Sequence, residues 1–383
     1  MKLYRLIKSN FVPGIFIFTV VMFFLYEFQY SDSKLSLKDI QNDLNFNSRS
    51  KSIQTGQEKN RTISLYAEES KANKVIKIER ENIYNKKVFK IDIHPKKKSK
   101  EYKAIYPHSG IKKVDHRILM YNRVPKSGSE TFTLLITLLS QLNDFKHRRS
   151  SIFNKRQLSM NEQRTFVREV MKRKPPFAYD RHIYFTNFLD FYYPNPIYIN
   201  SMRDPVEKII SRFYFWRVPG IPVFEELKSA GKVNISKREW MKKDFEQCVR
   251  TGDPECLFIT GQSYDLAIPY FCGHKEECMS LNNKAALQIA KTNVKKYYVV
   301  VGVLEELNKT LAVLEGYIPQ FFKGASKLYS IKPKVQNKNF RKKKVSEEIK
   351  KILKKNLTME YEFYEFIRKR LYDQFRLLKH ATT

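Results

Sequence analysis

Acidic side chains are in short supply. Against 72 lysines and arginines the 383 residues set only 39 aspartates and glutamates, a formal net charge of +33. So large an excess implies a polyanionic partner: nucleic acid, an anionic membrane, or a sulfated or uronic polysaccharide. Cysteine is limited to four, all between 248 and 278, and no two are spaced C-x-x-C. A zinc site, even one borrowing His274, therefore lacks its ligand spacing, and no metal is expected. Two local disulfides are the better reading. Sequential pairing, Cys248–Cys256 and Cys272–Cys278, is favoured, although the sequence permits three connectivities. The pattern G-x-x-x-x-G-K-[ST] is also missing, which argues against a nucleotide kinase built on a Walker A loop. No internal repeat is visible.

What is present near the N-terminus bears on the choice of polyanion. Phe11–Phe28 is mostly apolar and close to the lower limit for a membrane-spanning helix. Lys2, Arg5 and Lys8 precede it, which favours a cytoplasmic N-terminus, and no small-x-small cleavage site follows before Tyr30. The expectation is a single-pass type II signal anchor. Four Asn-x-Ser/Thr sequons lie beyond it, at Asn60, Asn234, Asn308 and Asn356. A lumenal catalytic region follows from anchor and sequons together. That compartment argues against nucleic acid and leaves a polysaccharide to explain the charge.

With 42% hydrophobic and 14% aromatic residues, the chain can bury one large core and still carry appendages. Residues 1–10 read as a cytoplasmic tail, 11–28 as the anchor, and 29–111 as a polar stem with apolar islands at Val75–Ile78 and Val88–Ile93. From 112 to 383 strands alternate with amphipathic helices, the pattern of an α/β domain with a mainly parallel sheet flanked by helices. Strands are expected at Ile118–Tyr121, His182–Phe185, Ile197–Asn200 and Tyr297–Val303. Helices are expected at Thr131–Leu142, Asn161–Lys172, Pro205–Trp216 and Leu304–Tyr317, with a long helical region at Ser346–Leu377.

Two stretches, each after an apolar strand, carry the chemistry. In Pro125-Lys-Ser-Gly-Ser-Glu-Thr131, Gly128 allows a tight turn, and the amides at the next helix start can hold a phosphate with the hydroxyls of Ser127, Ser129 and Thr131. Lys126 adds a mobile positive charge. In Arg203-Asp-Pro-Val-Glu-Lys-Ile-Ile-Ser211, the Arg fork lies at a strand end, where open α/β sheets bind ligands, and Ser211 adds a hydroxyl. Taken singly, the first reads as a capped turn and the second as an Arg–acid pair. Both on one sheet point to a nucleotide with phosphates at both ends of its ribose. Between them lies His182, whose neutral imidazole can take a proton from a sugar hydroxyl, although a lone His is more often structural.

These segments resemble a known family. Asn122-Arg-Val-Pro-Lys126-Ser-Gly-Ser129, Arg181-His182-Ile-Tyr-Phe, Pro196-Ile-Tyr-Ile-Asn200 with Arg203-Asp-Pro205, Pro269-Tyr-Phe-Cys-Gly273, Val301-Gly-Val-Leu-Glu-Glu306 and Glu360-Tyr-Glu362-Phe-Tyr-Glu-Phe366 occur in order. Over about residues 115–377 the chain looks like the uronosyl 2-O-sulfotransferases: heparan sulfate 2-O-sulfotransferase, dermatan/chondroitin uronyl 2-sulfotransferase and, most of all, the arthropod Pipe proteins.

The resemblance implies a P-loop-like sulfotransferase fold, a Golgi membrane location, possible homotrimers, and no metal. It implies 3′-phosphoadenosine 5′-phosphosulfate as donor and the 2-hydroxyl of an iduronic or glucuronic acid in a glycosaminoglycan or related glycan as acceptor. By the same resemblance Lys126 is the catalytic lysine, and Ser127, Gly128, Ser129 and Thr131 line the 5′-phosphosulfate loop. Arg203 and Ser211 match the 3′-phosphate ligands, His182 the general base, Arg123 a substrate-contacting arginine, and Arg341 another. The two cysteine spacings match the family's two disulfides. Lys208 stands where relatives often have Arg, and Ser127-Gly-Ser129 departs from the Thr-Ala-Ser of the heparan enzymes, so the acceptor stays open. Lys237, Arg238 and the Lys338–Lys344 run are candidates for holding its carboxylates and sulfates. The reading from another class is a catalytically silent lumenal polyanion-binding protein that keeps the fold.

Overall fold

The computed structural model describes residues 62–70, 73–81, 87–89 and 114–382, apart from 153, 219–220, 222, 232, 259–265 and 332–341. Two compact units, 1–103 and 104–383, are described separately. In the first, β1 (Thr62–Ser70) and β2 (Asn73–Glu81) pair antiparallel, and β3 (Lys87–Phe89) pairs with the other edge of β2. These strands fall within the stretch read as a stem. The expected anchor and Asn60 lie outside the described residues. Among the described residues no helix is long and apolar enough to cross a membrane.

The second unit is organised by five parallel strands in the order β5-β6-β4-β7-β8. They are β4 (Val114–Asn122), β5 (Lys146–Arg149), β6 (Phe177–Arg181), β7 (Asn195–Met202) and β8 (Tyr298–Val303). Every residue of β6, β7 and β8 is buried, as expected where helices cover both faces of a parallel sheet. At the margin β5 reads Lys-His-Arg-Arg and is largely exposed. Charge on an edge strand discourages a further strand from pairing, and the lack of apolar alternation is why the sequence pattern misses it.

Seven helices carry the argument: α1 (Ser129–Leu142), α2 (Met160–Met171), α3 (Pro205–Trp216), α4 (Lys284–Tyr297), α5 (Leu307–Tyr317), α6 (Glu347–Asn356) and α7 (Thr358–Thr382). Phe132, Leu135, Ile136 and Leu139 of α1 recur at helical spacing and face the core. Helix α2 starts on a capping box between Ser159 and Glu162. Helix α3 starts with Asp204 accepting from the Glu207 amide and with Pro205 in its first turn.

Three expectations need correction. The strand expected at His182–Phe185 is instead Phe177–Arg181, which pairs along Ile118–Asn122, so His182 lies just beyond its end. The helix expected from Leu304 starts at Leu307, after one 3-10 turn, and the long C-terminal region breaks at Leu357. Helix α4, unmarked in the sequence reading, packs against Phe271 and Cys272, with Asn293 donating to both carbonyls. The disulfides are Cys248–Cys256 and Cys272–Cys278, as expected. The first lies in an apolar cluster with Phe213 and Tyr214 of α3, Phe245, and Ile349 and Leu353 of α6.

Candidate active site

The strand order brings the two sequence motifs side by side. Strand β4, which leads into the first, lies between β6, which ends beside His182, and β7, which leads into Arg203. All three groups therefore meet at the carboxyl edge of the sheet. A buried amide network fixes the strand ends. Asn200 Nδ2 donates to Asn122 O (2.6 Å) and Oδ1 (3.0 Å), and Tyr298 donates to Asn122 Oδ1 (3.0 Å). Asn122 Nδ2 donates in turn to the Tyr270 carbonyl at 2.7 Å.

Residues 123–128 then form a turn that leads straight into α1. Gly128, in the left-handed region at φ 82°, occupies the cap position, and no side chain caps the helix. An added Cβ there would lie 2.7 Å from Leu304 Cδ1. Lys126 also takes a positive φ, 60°. The first amides of α1 are left for an anion, with the helix dipole behind them. Ser127 is fully buried, and its Oγ has no hydrogen-bond partner among the described residues. An orphaned hydroxyl beside an uncapped helix start suits a phosphate or sulfate oxygen. Ser129 is buried and Thr131 half-buried on the first turn of α1.

Lys126 Nζ sits 3.8 Å from the centroid of the Phe215 ring on α3. Burial first, and then the charge of Arg203, lower its pKa from 10.5 to about 8. Arg203 Nη1 donates to the Lys126 carbonyl at 3.4 Å. Its guanidinium also lies 3.6 Å from Glu207 and 4.0 Å from Glu305. Ser211 is half-buried two turns into α3. Lys208, on the same helix, is fully buried; burial raises the pKa of Glu360, against the opposing pull of the Lys208 charge and of the Ala267 and Ile268 amides that donate to its carboxyl oxygens.

His182 is buried, and its Nδ1 lies 3.0 Å from the carbonyl of Arg123. A carbonyl only accepts, so Nδ1 carries the proton and the neutral ring keeps its lone pair on Nε2. Burial, followed by the Arg123 charge, holds its pKa well below 6.5, so the ring is neutral and basic at ordinary pH. Arg123 is itself buried. Its Nε lies 2.9 Å from Asp180 Oδ1, and its Nη1 donates to Thr133 Oγ1 at 3.3 Å. Arg123, which the resemblance makes a substrate contact, also meets His182 through its carbonyl.

The charges of Arg156 and Arg149 add smaller contributions in the same direction to the lowered His182 pKa. Arg149 pairs with Glu130 at 2.7 Å. Neither carries a motif signal, because β5 and the loop after it come to the site only through sheet pairing. Arg341 lies outside the described residues. Lys342 and Lys343 pair with Glu207 and Asp244, while Lys237 and Arg238 are exposed. Among the sequons, Asn234, Asn308 and Asn356 are exposed, and Thr310 of the Asn308 sequon is buried, bonding to Val303. Asn308 borders a cavity of about 660 Å³ lined also by Leu304, Leu307, Leu311 and Tyr329. Leu304 joins that cavity to the Gly128 turn.

Uncapped helix, buried serine, lysine, arginine and neutral histidine make a site for two anionic groups and a proton acceptor. The sequence profile of the sulfotransferase family matches residues 111–367. The chain belongs to that family. This sulfotransferase is 38% identical over 276 residues to the uronyl 2-sulfotransferase homolog pip of Drosophila melanogaster, covering 69% of this chain and 54% of that protein. It is 34% identical over 270 residues to the uronyl 2-sulfotransferase of Mus musculus, covering 68% and 63%. With heparan sulfate 2-O-sulfotransferase 1 of Gallus gallus it shares 34% identity over 264 residues, 66% of this chain and 70% of that one. The match thus spans between about half and two thirds of the first two relatives. The parallel sheet with flanking helices agrees with the fold expected of a sulfotransferase.

Proposed function

We propose that this sulfotransferase moves a sulfuryl group from 3′-phosphoadenosine 5′-phosphosulfate to the 2-hydroxyl of a uronic acid in a glycosaminoglycan or related glycan. The observation that carries this is the meeting of the uncapped α1 start, Lys126, Arg203 and the Nδ1-protonated His182 at one sheet edge. The relatives named for uronyl and heparan sulfate 2-O-sulfation support the choice of acceptor position.

The donor supplies an activated sulfuryl group. Its 5′ end suits the α1 amides, Ser127 and Lys126, its 3′-phosphate Arg203 and Ser211, and its base the cavity beside Leu304. His182 Nε2 is the lone pair available to take the proton from the acceptor hydroxyl. Lys126 and the α1 amides offset charge that develops on the departing phosphate oxygen, a task of positioning and electrostatics. Arg149 and Arg156 supply positive charge beside His182, where the acceptor's carboxylate would lie. The same reading makes the chain a single-pass Golgi membrane protein anchored by residues 11–28, with a homotrimer as its assembly by resemblance.

The test is transfer of labelled sulfate to a panel of desulfated glycosaminoglycans, followed by disaccharide analysis. Sulfation at uronic acid position 2 is expected, with His182→Ala inactive yet still retained on a donor-analogue column. Retention on heparin without transfer to any acceptor would sink the proposal in favour of a silent polyanion binder.

A further inference from the structure

Asp180 stands two residues before His182, one inside the end of β6 and the other just beyond it. Both are gripped by Arg123. Its Nε meets Asp180 Oδ1 at 2.9 Å, its amide donates to the Arg181 carbonyl at 2.9 Å, and its carbonyl accepts from His182 Nδ1 at 3.0 Å. One residue thus holds three consecutive positions of the β6 end. Behind it the Asp180 carboxylate, essentially inaccessible to solvent, makes a hydrogen bond at its other oxygen. His147 Nε2 of β5 lies 2.6 Å from Asp180 Oδ2.

The other side of His147 is also anchored. Its Nδ1 lies 2.9 Å from Thr137 Oγ1 on α1, and that hydroxyl donates its single proton to the Thr133 carbonyl at 2.9 Å. Each ring nitrogen therefore has a hydrogen-bonding oxygen beside it, which fixes the ring between β6 and α1. The buried carboxylate lies between a guanidinium and an imidazole on neighbouring strands. At Oδ1 the contact with Arg123 is an ion pair without hydrogen-bond geometry, and at Oδ2 the carboxylate is hydrogen-bonded to His147, so the buried charge is held on both oxygens. The Ser150 amide, donating to the Asp180 carbonyl at 2.9 Å, adds a main-chain tie from the residue after β5.

We propose that Asp180, set between Arg123 and His147, is a positioning residue for sulfuryl transfer. It fixes the Arg123 main chain whose carbonyl selects the reactive tautomer of His182, and it balances the Arg123 charge beside that ring. This rests on His182 being the base. Arg123, Arg149 and Arg156 face His182 with positive charge, and Glu130, 3.5 Å from Arg123 and 2.7 Å from Arg149, is the other acid of the cluster. Loss of the Asp180 charge leaves Arg123 less compensated, which disfavours the imidazolium of His182 further. The acid limb of the pH profile then moves to lower pH.

The experiment compares wild type, Asp180→Asn, His147→Gln and His182→Ala by initial rates of labelled-sulfate transfer from pH 4.5 upward. The pH values are ~4.5 to 8 in steps that resolve each limb. Asp180→Asn, nearly isosteric, should lower kcat at least ~10-fold with donor KM within ~2-fold, and should move the acid limb downward. A kcat within ~2-fold of wild type, or an acid limb that stays in place, overturns the proposal. If Asp180→Asn does not fold, His147→Gln carries the test. Its amide still donates to Asp180 and the carboxylate keeps its charge, so a kcat loss of ~3- to 10-fold with the acid limb in place is expected, and a kcat within ~2-fold of wild type overturns. An active His182→Ala would instead remove the base assignment itself. An inactive His182→Ala beside a normal Asp180→Asn would remove only the role of Asp180.

Discussion

If Lys126 binds the donor as proposed, its depressed basicity should set the pH range of donor use. Its pKa lies at about 8 rather than 10.5, first because it is buried and next because Arg203 is close. That displacement is on the order of 3 kcal/mol against the cation. In the free enzyme about nine in ten Lys126 side chains are charged at pH 7, and only about one in ten at pH 9. An arriving anion needs the ammonium. The second-order rate with donor, kcat/KM, should therefore hold up to about pH 7.5 and fall towards tenfold per pH unit above about 8. His182, already neutral, adds no acid limb at and above neutral pH. The assay is labelled-sulfate transfer at donor concentrations far below KM and constant ionic strength. Lys126→Arg keeps its charge throughout this range, so its profile should lose the basic limb even as its rate falls. Lys126→Met should lose about 100- to 1,000-fold in kcat, as for other groups that receive developing charge. A wild-type profile that is flat through pH 9.5, or a limb that persists in Lys126→Arg, would refute the assignment.

Three further outcomes follow from packing. Gly128→Ala places a Cβ at φ 82° and 2.7 Å from Leu304 Cδ1. It should cost about 1–3 kcal/mol by denaturant titration and raise donor KM, and an unchanged midpoint would count against the strained turn. Arg217 makes a two-pronged pair with buried Glu255, at 3.1 and 2.9 Å, and Arg217→Ala leaves that carboxylate short of its main partner. A loss of about 3–5 kcal/mol is expected in the same measurement, and one below 1 kcal/mol would refute it. Replacing Cys248 and Cys256 by Ser opens a cross-link between residues 8 apart, worth about 2–3 kcal/mol, which melting curves with and without reductant should reproduce.

Much of the site was legible because its signals are local. A strand followed by Pro-Lys-Ser-Gly-Ser, and another followed by Arg-Asp-Pro, mark turns and helix starts whose geometry depends on neighbours in sequence. Those gave the α1 start at Ser129, within two residues of its expected position, and α3 at Pro205–Trp216 as expected. The boundary at His182 was misplaced for the opposite reason. Whether Phe177–Arg181 or His182–Phe185 joins the sheet is settled by which residues find partners on β4, and the charged Asp180 and Arg181 hide the true strand while the more apolar His182–Phe185 mimics one. Strand β5 gave no signal at all, since Lys-His-Arg-Arg becomes a strand only by pairing with β6 at an edge.

By itself the sequence determined the chemistry at hand: an anion-binding turn, an Arg fork, a histidine between them, and a strongly basic surface. It also favoured two local disulfides, whose pairing the structure decided. Only the tertiary structure decided what those groups do to one another. The parallel order β5-β6-β4-β7-β8 places His182 and Arg203 on opposite sides of one loop, so one buried carbonyl sets the histidine tautomer and one arginine lowers the lysine pKa. Tautomer, pKa and the Asp180–Arg123–His147 cluster depend on burial and on distances between separate strands. Those are properties of the packed sheet, and residue order along the chain does not specify them.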